Sequence, residues 1–271
     1  MKHIFHPTDL RPGSTTAFLH ALRLATTTQS VLTILHADRS GDAEWADLPG
    51  VRSTLARWRL VRDENDMDGL KTIGIGVRKI LADKKRPVKA CLDHLKDHPT
   101  DLIVLSTHQA DGGLSLFGGK VAEPLARGAG EPCLLVPHDR PGFVDPTTGA
   151  VNIRRVLVPI TTNPDPRRAL DAARRIIELL DQREVVFTLL HVGTASTAPL
   201  IELEPHAGWT FERVTREGDP VEVIVQTASG IKADLVVMAT KGHDGFLDVF
   251  RGSNTERVLR QVQCPLLAVP A

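Results

Sequence analysis

Four short apolar runs recur, in the same order, in the two halves of the chain. His3-Ile4-Phe5-His6-Pro7-Thr8 returns as Arg155-Val156-Leu157-Val158-Pro159-Ile160. Val31-Leu32-Thr33-Ile34-Leu35-His36 returns, with a small shift, as Val185-Val186-Phe187-Thr188-Leu189-Leu190-His191. Asp101-Leu102-Ile103-Val104-Leu105-Ser106-Thr107 returns as Asp234-Leu235-Val236-Val237-Met238-Ala239-Thr240. The last block, Pro132-Cys133-Leu134-Leu135-Val136-Pro137, returns as Pro265-Leu266-Leu267-Ala268-Val269-Pro270. Continuous apolar runs of this length predict strands whose two faces are both covered by helices. Two long copies predict two domains, whereas a solenoid would carry many shorter repeats.

Between the strands the apolar period changes from a run to a stripe. Asp165 is placed to cap a helix that Pro166 opens, and Ala169, Leu170, Ala173, Ile176, Ile177 and Leu180 fall on one face of it. Gly218-Asp219-Pro220 opens a second helix in the same way, with Val221, Ile224, Val225 and Ala228 inward. In the first copy Arg86-Pro87 leads into Val88, Cys91, Leu92 and Leu95. The alternation predicts an α/β fold of two tandem Rossmann-like domains, each a five-stranded parallel sheet flanked by helices. Domain 1 spans residues 1–138 and domain 2 residues 154–271; residues 139–153, rich in Pro, Gly, Thr and Asp, read as a linker. Two segments are irregular, Gly41–Asn65 and Thr194–Gly208. The first carries Trp45, Trp58 and an amphipathic Leu48–Leu60 stretch expected to cover the sheet between the second and third strands.

Composition narrows the function classes. The chain has 271 residues, 42% hydrophobic and 24% charged, with 33 basic and 33 acidic residues. That balance supports neither a nucleic-acid surface nor a membrane surface, and the absence of Tyr argues against base-stacking platforms. No apolar run approaches the length of a bilayer span, and Met1 to Pro7 has no signal-peptide core, so a cytoplasmic location is expected. Cys91, Cys133 and Cys264 are an odd number without CxxC spacing and read as reduced thiols. No serine stands in a nucleophile elbow and no catalytic residue is assigned. Gly119-Lys120-Val121 lacks the hydroxyl of a Walker motif, and the dinucleotide fingerprint is absent after the first strand, where Pro7 and Pro159 stand.

The chemistry-bearing segment follows the fourth strand of the second copy. Gly242 is followed by nine residues and then by Gly252-Ser253-Asn254. Glycine permits close backbone approach, and a helix opened by Gly252-Ser253 would turn free amide groups toward an anion. Lys241, His243 and Arg251 add positive charge, offset in part by Asp244 and Asp248. Ser253-x-x-Glu256 is equally a capping box, which helix stability alone would explain. In the first copy the same place holds Ser106-Thr107-His108-Gln109, nine residues and Gly119-Lys120, so the close-approach glycine is missing. His6, His36 and His108 each end a predicted strand near Asp9. A metal site there competes with a structural role, because His36 has a repeat partner in His191 that lacks the same company; no metal ligand is assigned.

The repeated blocks and this glycine spacing resemble the universal stress protein family, tandem two-domain type. Its ATP-binding members carry Gly-x2-Gly-x9-Gly-Ser/Thr after the fourth strand. Here Ala239 stands for the first glycine, adding a methyl where nucleotide would approach. The resemblance implies an adenine nucleotide (ATP, ADP or AMP, with magnesium) in domain 2, with phosphates on Gly242, Gly252, Ser253 and Asn254 and His243 beside them. It also implies contacts from Pro159, Thr161, Val192, Met238 and Ala239. The family's Asp after the first strand is Asp9 in the first copy, whereas the second has Thr161-Thr162. Losing one charged hydrogen bond costs roughly 1.5–3 kcal/mol, so weaker binding is expected. A weaker site in domain 1 would use Thr8, Asp9 and Lys120, although Asp9 reads equally well as a cap for the following helix. The resemblance further implies pairing of the two halves through their last strands, with Val136 and Val269 near the seam, and a homodimer of chains. Three readings follow: a nucleotide-binding regulatory or stress-response module, a protein-interaction scaffold without nucleotide, and a slow ATP hydrolase.

Overall fold

The computed structural model describes the whole chain except residues 39–40, 84–85, 111–112, 116–129, 139, 241–253 and 271. In the first half the order is β1 (His3–Thr8), α1 (Ser14–Thr28), β2 (Val31–Asp38), α2 (Val51–Arg57), α3 (Met67–Ile73), β3 (Gly76–Asp83), α4 (Pro87–Asp97), β4 (Leu102–Ala110), β5 (Gly113–Ser115) and β6 (Cys133–Pro137). The second half continues with β7 (Arg155–Ile160), α5 (Pro166–Leu179), β8 (Val185–Val192), β9 (Trp209–Arg216), α6 (Pro220–Gly230), β10 (Leu235–Thr240), α7 (Asn254–Leu259) and β11 (Leu266–Pro270).

All the strands but β5 form one path in the order β3-β2-β1-β4-β6-β11-β10-β7-β8-β9, and β5 folds back antiparallel on β4. Each half is parallel, and the halves meet where β6 and β11 run antiparallel, with Leu134 opposite Leu267 and Cys133 opposite Ala268. Val136 and Val269 lie at the ends of this seam, both buried. Each last strand thus covers an edge that the other half would otherwise leave unpaired. The free edges of the sheet are β3 and β9, which carry charged side chains such as Arg78, Lys79, Glu212 and Arg213.

The cores run through the seam. One face gathers Leu22, Leu134, Ile177 and Leu267 under α1 and α5; the other gathers Cys91, Leu135, Ile224 and Ala268 under α4, α6 and α7. The stripe on α5 is wholly buried, and Asp165 caps that helix by accepting from the Arg167 amide at 3.0 Å. On α6 Asp219 accepts from the Val221 and Glu222 amides, while Val225 is only half-buried and Val223 packs inward as well. Asp9, expected as either a ligand or a cap, is not the cap of α1, which Gly13 occupies without a side-chain bond. Its carboxylate instead accepts from the Arg11 amide at 3.0 Å and from the Ser14 hydroxyl.

The repeat extends to polar contacts. The Asp101 carboxylate accepts from the Lys2 and His3 amides at 2.6 and 2.9 Å; the Asp234 carboxylate accepts from the Arg154 and Arg155 amides at 2.8 and 2.9 Å. In each half this aspartate fixes the register of the fourth strand against the first. Burial opposes the charge on Asp101, but its two amide donors hold the carboxyl below the usual range. Replacing Asp234 by Ala removes two charge-assisted hydrogen bonds at the sheet end and is expected to cost about 1–2 kcal/mol. Urea unfolding checks this, with Asp101→Ala expected to show a matching loss.

The segment read as a linker is folded against the first half. Phe143, Val144 and Ile153 are buried, and Val144 bridges to Val151. Two residues from distant helices hold it. His20 of α1 donates from Nδ1 to the Thr16 carbonyl at 2.7 Å, and its Nε2 accepts the Phe143 amide at 3.0 Å. Trp58 donates from its indole to the Pro146 carbonyl at 3.2 Å. Gly149 lies flat on that indole at φ +70°, where a Cβ would come within 2.5 Å of the ring, so glycine is required twice over.

Candidate functional site

A sheet of this topology leaves a crevice where strand order reverses, outside the carboxyl ends of the strands. In the second half the reversal lies between β7 and β10, and a cavity of about 310 Å³ opens there. Its floor is Pro159 and Ile160 from β7, Leu190 and Val192 from β8, and Met238 and Ala239 from β10. Thr161, Asn163, Pro164 and Pro166 form one wall; Pro220 and Ile224 of α6, with Asn254 and Thr255 of α7, form the other.

Of the residues expected to hold a ligand, the cavity brings together Pro159, Thr161, Val192, Met238, Ala239 and Asn254. Gly242, His243, Gly252 and Ser253 lie outside the described residues, as does Lys120 of the first half. Asn163, Thr240 and Thr255 were not singled out from sequence, although Thr240 is the neighbour of Ala239 in the matched block. Thr240 donates its hydroxyl to the Val269 carbonyl at 3.2 Å, leaving oxygen lone pairs to accept from a ligand. α7 is tied to the mouth of α6 by Arg257, whose guanidinium lies 3.7 Å from the Asp219 carboxylate.

Every described residue lining the cavity is uncharged. An apolar floor with a few hydroxyl and amide groups suits the flat, neutral part of a small molecule. Its described residues give no charged partner to a polyanion, so any phosphate would draw its charge partners from the segment after β10.

Among the described residues the corresponding strand ends of the first half are more buried. Pro7, Thr8, Ser106 and Thr107 are all buried, whereas Pro159, Ala239 and Thr240 keep exposed surface. The Ser106 hydroxyl donates to the Gly13 carbonyl at 3.2 Å, and Gly13 is covered by the His138 ring, which a Cβ there would overlap. Ala239 has no hydroxyl for such a tie. His36 Nδ1 donates to the Thr8 carbonyl at 2.8 Å, and His191 Nδ1 faces the Ile160 carbonyl at 3.3 Å, so this histidine does the same structural task in both halves. His6 donates to the Val104 carbonyl at 2.9 Å; the side chain of His108 lies outside the described residues. Among the described residues no group of three His, Cys, Asp or Glu side chains could hold a metal ion, and no helix is long and apolar enough to cross a membrane.

Comparison with known proteins agrees with this architecture. The chain is 43% identical over 53 residues to a universal stress protein of Thermus aquaticus, a stretch that is 20% of this chain and 39% of that protein. It is 45% identical over 53 residues to a universal stress protein of Methanocaldococcus jannaschii, covering 20% of this chain and 31% of that one. The chain therefore matches well under half the length of these curated relatives. At the level of fold, a universal stress protein of Archaeoglobus fulgidus superposes with a TM-score of 0.63 at 17% identity, covering 99% of this chain and 98% of that one. Residues 1–137 and 196–270 match the universal stress protein family itself. Over two copies of one sheet, joined at their last strands, the chain belongs to the universal stress protein family.

Proposed function

We propose that the second half binds an adenine nucleotide and that the protein acts as a nucleotide-responsive regulatory module. One observation carries this reading: six residues expected from the family resemblance line a single cavity at the switch point of β7 and β10. The base and sugar would lie on Pro159, Val192, Met238 and Ala239, with Thr161, Thr240 and Asn254 as hydrogen-bonding groups. Lys241, His243, Gly252 and Ser253 would meet the phosphates. Thr161 replaces a carboxylate at the sugar end, so affinity is expected in the micromolar range rather than below it. The deeper burial of Pro7, Thr8, Ser106 and Thr107 in the first half favours the second as the binding half.

Titration calorimetry of magnesium ATP into the whole chain tests the proposal. Saturable micromolar binding is expected, weakened at least about tenfold by Ala239→Phe, which fills the cavity, and abolished by Gly252→Asp, which sets a charge against phosphate. Silence up to millimolar ATP would leave the interaction scaffold as the better reading. Turnover above background, lost on replacing His243 and Ser253, would favour the hydrolase.

A further inference from the structure

A second concavity lies far from the first in sequence, on the segment between β2 and β3. It is a groove of about 720 Å³ between α2, α3 and the edge strand β3. Leu70 and Ile75, partly buried against the core residues Val51 and Leu55, lie along it. Met67 and Val77 line it with 49% and 39% of their surface exposed, an apolar wall left without protein cover among the described residues. The volume is that of a small-molecule site.

The rim carries Arg52, Lys71 and Lys79 against one carboxylate, Glu64. On the same segment Arg62 takes the Asp66 carboxylate. Among the described residues none of the three rim cations does. Lys79 is half-buried, and its ammonium reaches the Leu48 carbonyl at a long 3.4 Å. Burial, and then the neighbouring charge of Arg52, hold the Lys79 ammonium below its usual pKa. A half-buried ammonium beside a like charge gains from any anion placed between them.

The geometry points to a binding site for an amphiphilic monocarboxylate, an alkyl chain of medium length on Met67, Leu70, Ile75 and Val77 with its carboxylate between Arg52 and Lys79. The long cationic side chains keep their stems on apolar surface while presenting charge at the rim, and Met67 adapts its shape to a flexible chain. This site is separate from the cavity of the second half and does not depend on how that cavity is used.

Calorimetric titration of the full chain with sodium decanoate, kept below its micelle concentration, tests the assignment. One saturable site is expected, with 1-decanol bound at least about tenfold more weakly. Lys79→Met keeps the apolar stem and removes the charge; it and Arg52→Gln are each expected to weaken decanoate about fivefold or more. Val77→Asp, at an exposed edge position, should remove binding without disturbing the core. Ala239→Phe in the other cavity should leave it unchanged. No saturable heat, equal affinity for decanol, or indifference to Lys79→Met, Arg52→Gln and Val77→Asp would overturn the proposal. So would loss of decanoate binding in Ala239→Phe.

Discussion

Lowering the pH from about 7 to about 4 is expected to remove roughly 6 kcal/mol of stability through two histidines. Both are fully enclosed, and burial pushes each down to about 4. The unfolded chain takes up these protons near 6.5, the folded chain only near 4, so across that window the unfolded state holds more protons. Stability is therefore complete above about pH 6.5 and falls as pH falls toward 4, by about 3 kcal/mol for each histidine. The structural cause differs between them. Protonated His20 would turn a second N–H toward the Phe143 amide, replacing a hydrogen bond with two opposed donors. Protonated His6 would place a cation in the core; among the described residues its Nε2 has no hydrogen-bond partner, and Asp9 offsets the penalty only in part. Urea unfolding at several pH values checks the slope. His6→Leu and His20→Leu should each flatten it by about half, whatever they do to stability at neutral pH. A slope that both variants leave intact would place the proton uptake elsewhere.

The second large effect is expected at the seam. Leu134→Ala and Leu267→Ala each empty a buried position and should cost about 2–5 kcal/mol. Because the two residues face each other across β6 and β11, their losses should not add. The double variant is expected to fall short of the sum by about 0.5–3 kcal/mol, the range for residues in contact. Leu200→Ala is the control: its side chain is 99% exposed, and it should change stability by no more than about 0.5 kcal/mol. Additive losses at 134 and 267 would mean that the halves do not pair in solution as they do here.

The repeat made the central strands legible because β1, β2, β4 and β6 and their counterparts are covered on both faces and read as apolar runs. The third strand of each half shows no such run in the sequence. β3 and β9 are edges, and charges at Arg78, Lys79, Glu212 and Arg213 break the apolar signal there. The folded state of residues 140–153 is hidden for another reason. Phe143 and Gly149 stand among turn formers, and what buries them is His20 and Trp58, distant in sequence. At the cavity the strand-end residues could be read from the matched blocks and the family resemblance. Asn163 and Pro164 could not, because each comes from a connection whose course the strands do not dictate. Met67 and Val77 carry no sequence signal at all, since only the apolar surface they leave exposed distinguishes them.

The β6–β11 seam has a consequence for how such a protein diverges. In a dimer of identical subunits every substitution is written twice, so neither site can be spared. Here the partner is part of the same chain, and a substitution is written once. Ser106 could tie down one strand end while Ala239 left the other open, and Asp9 could persist in one copy while Thr161 stood in the other. Asymmetry of this kind leaves the shared sheet untouched, because the seam depends on Leu134, Leu267 and their neighbours rather than on either set of strand ends. Concatenation thus separates the inheritance of the scaffold from the inheritance of its sites.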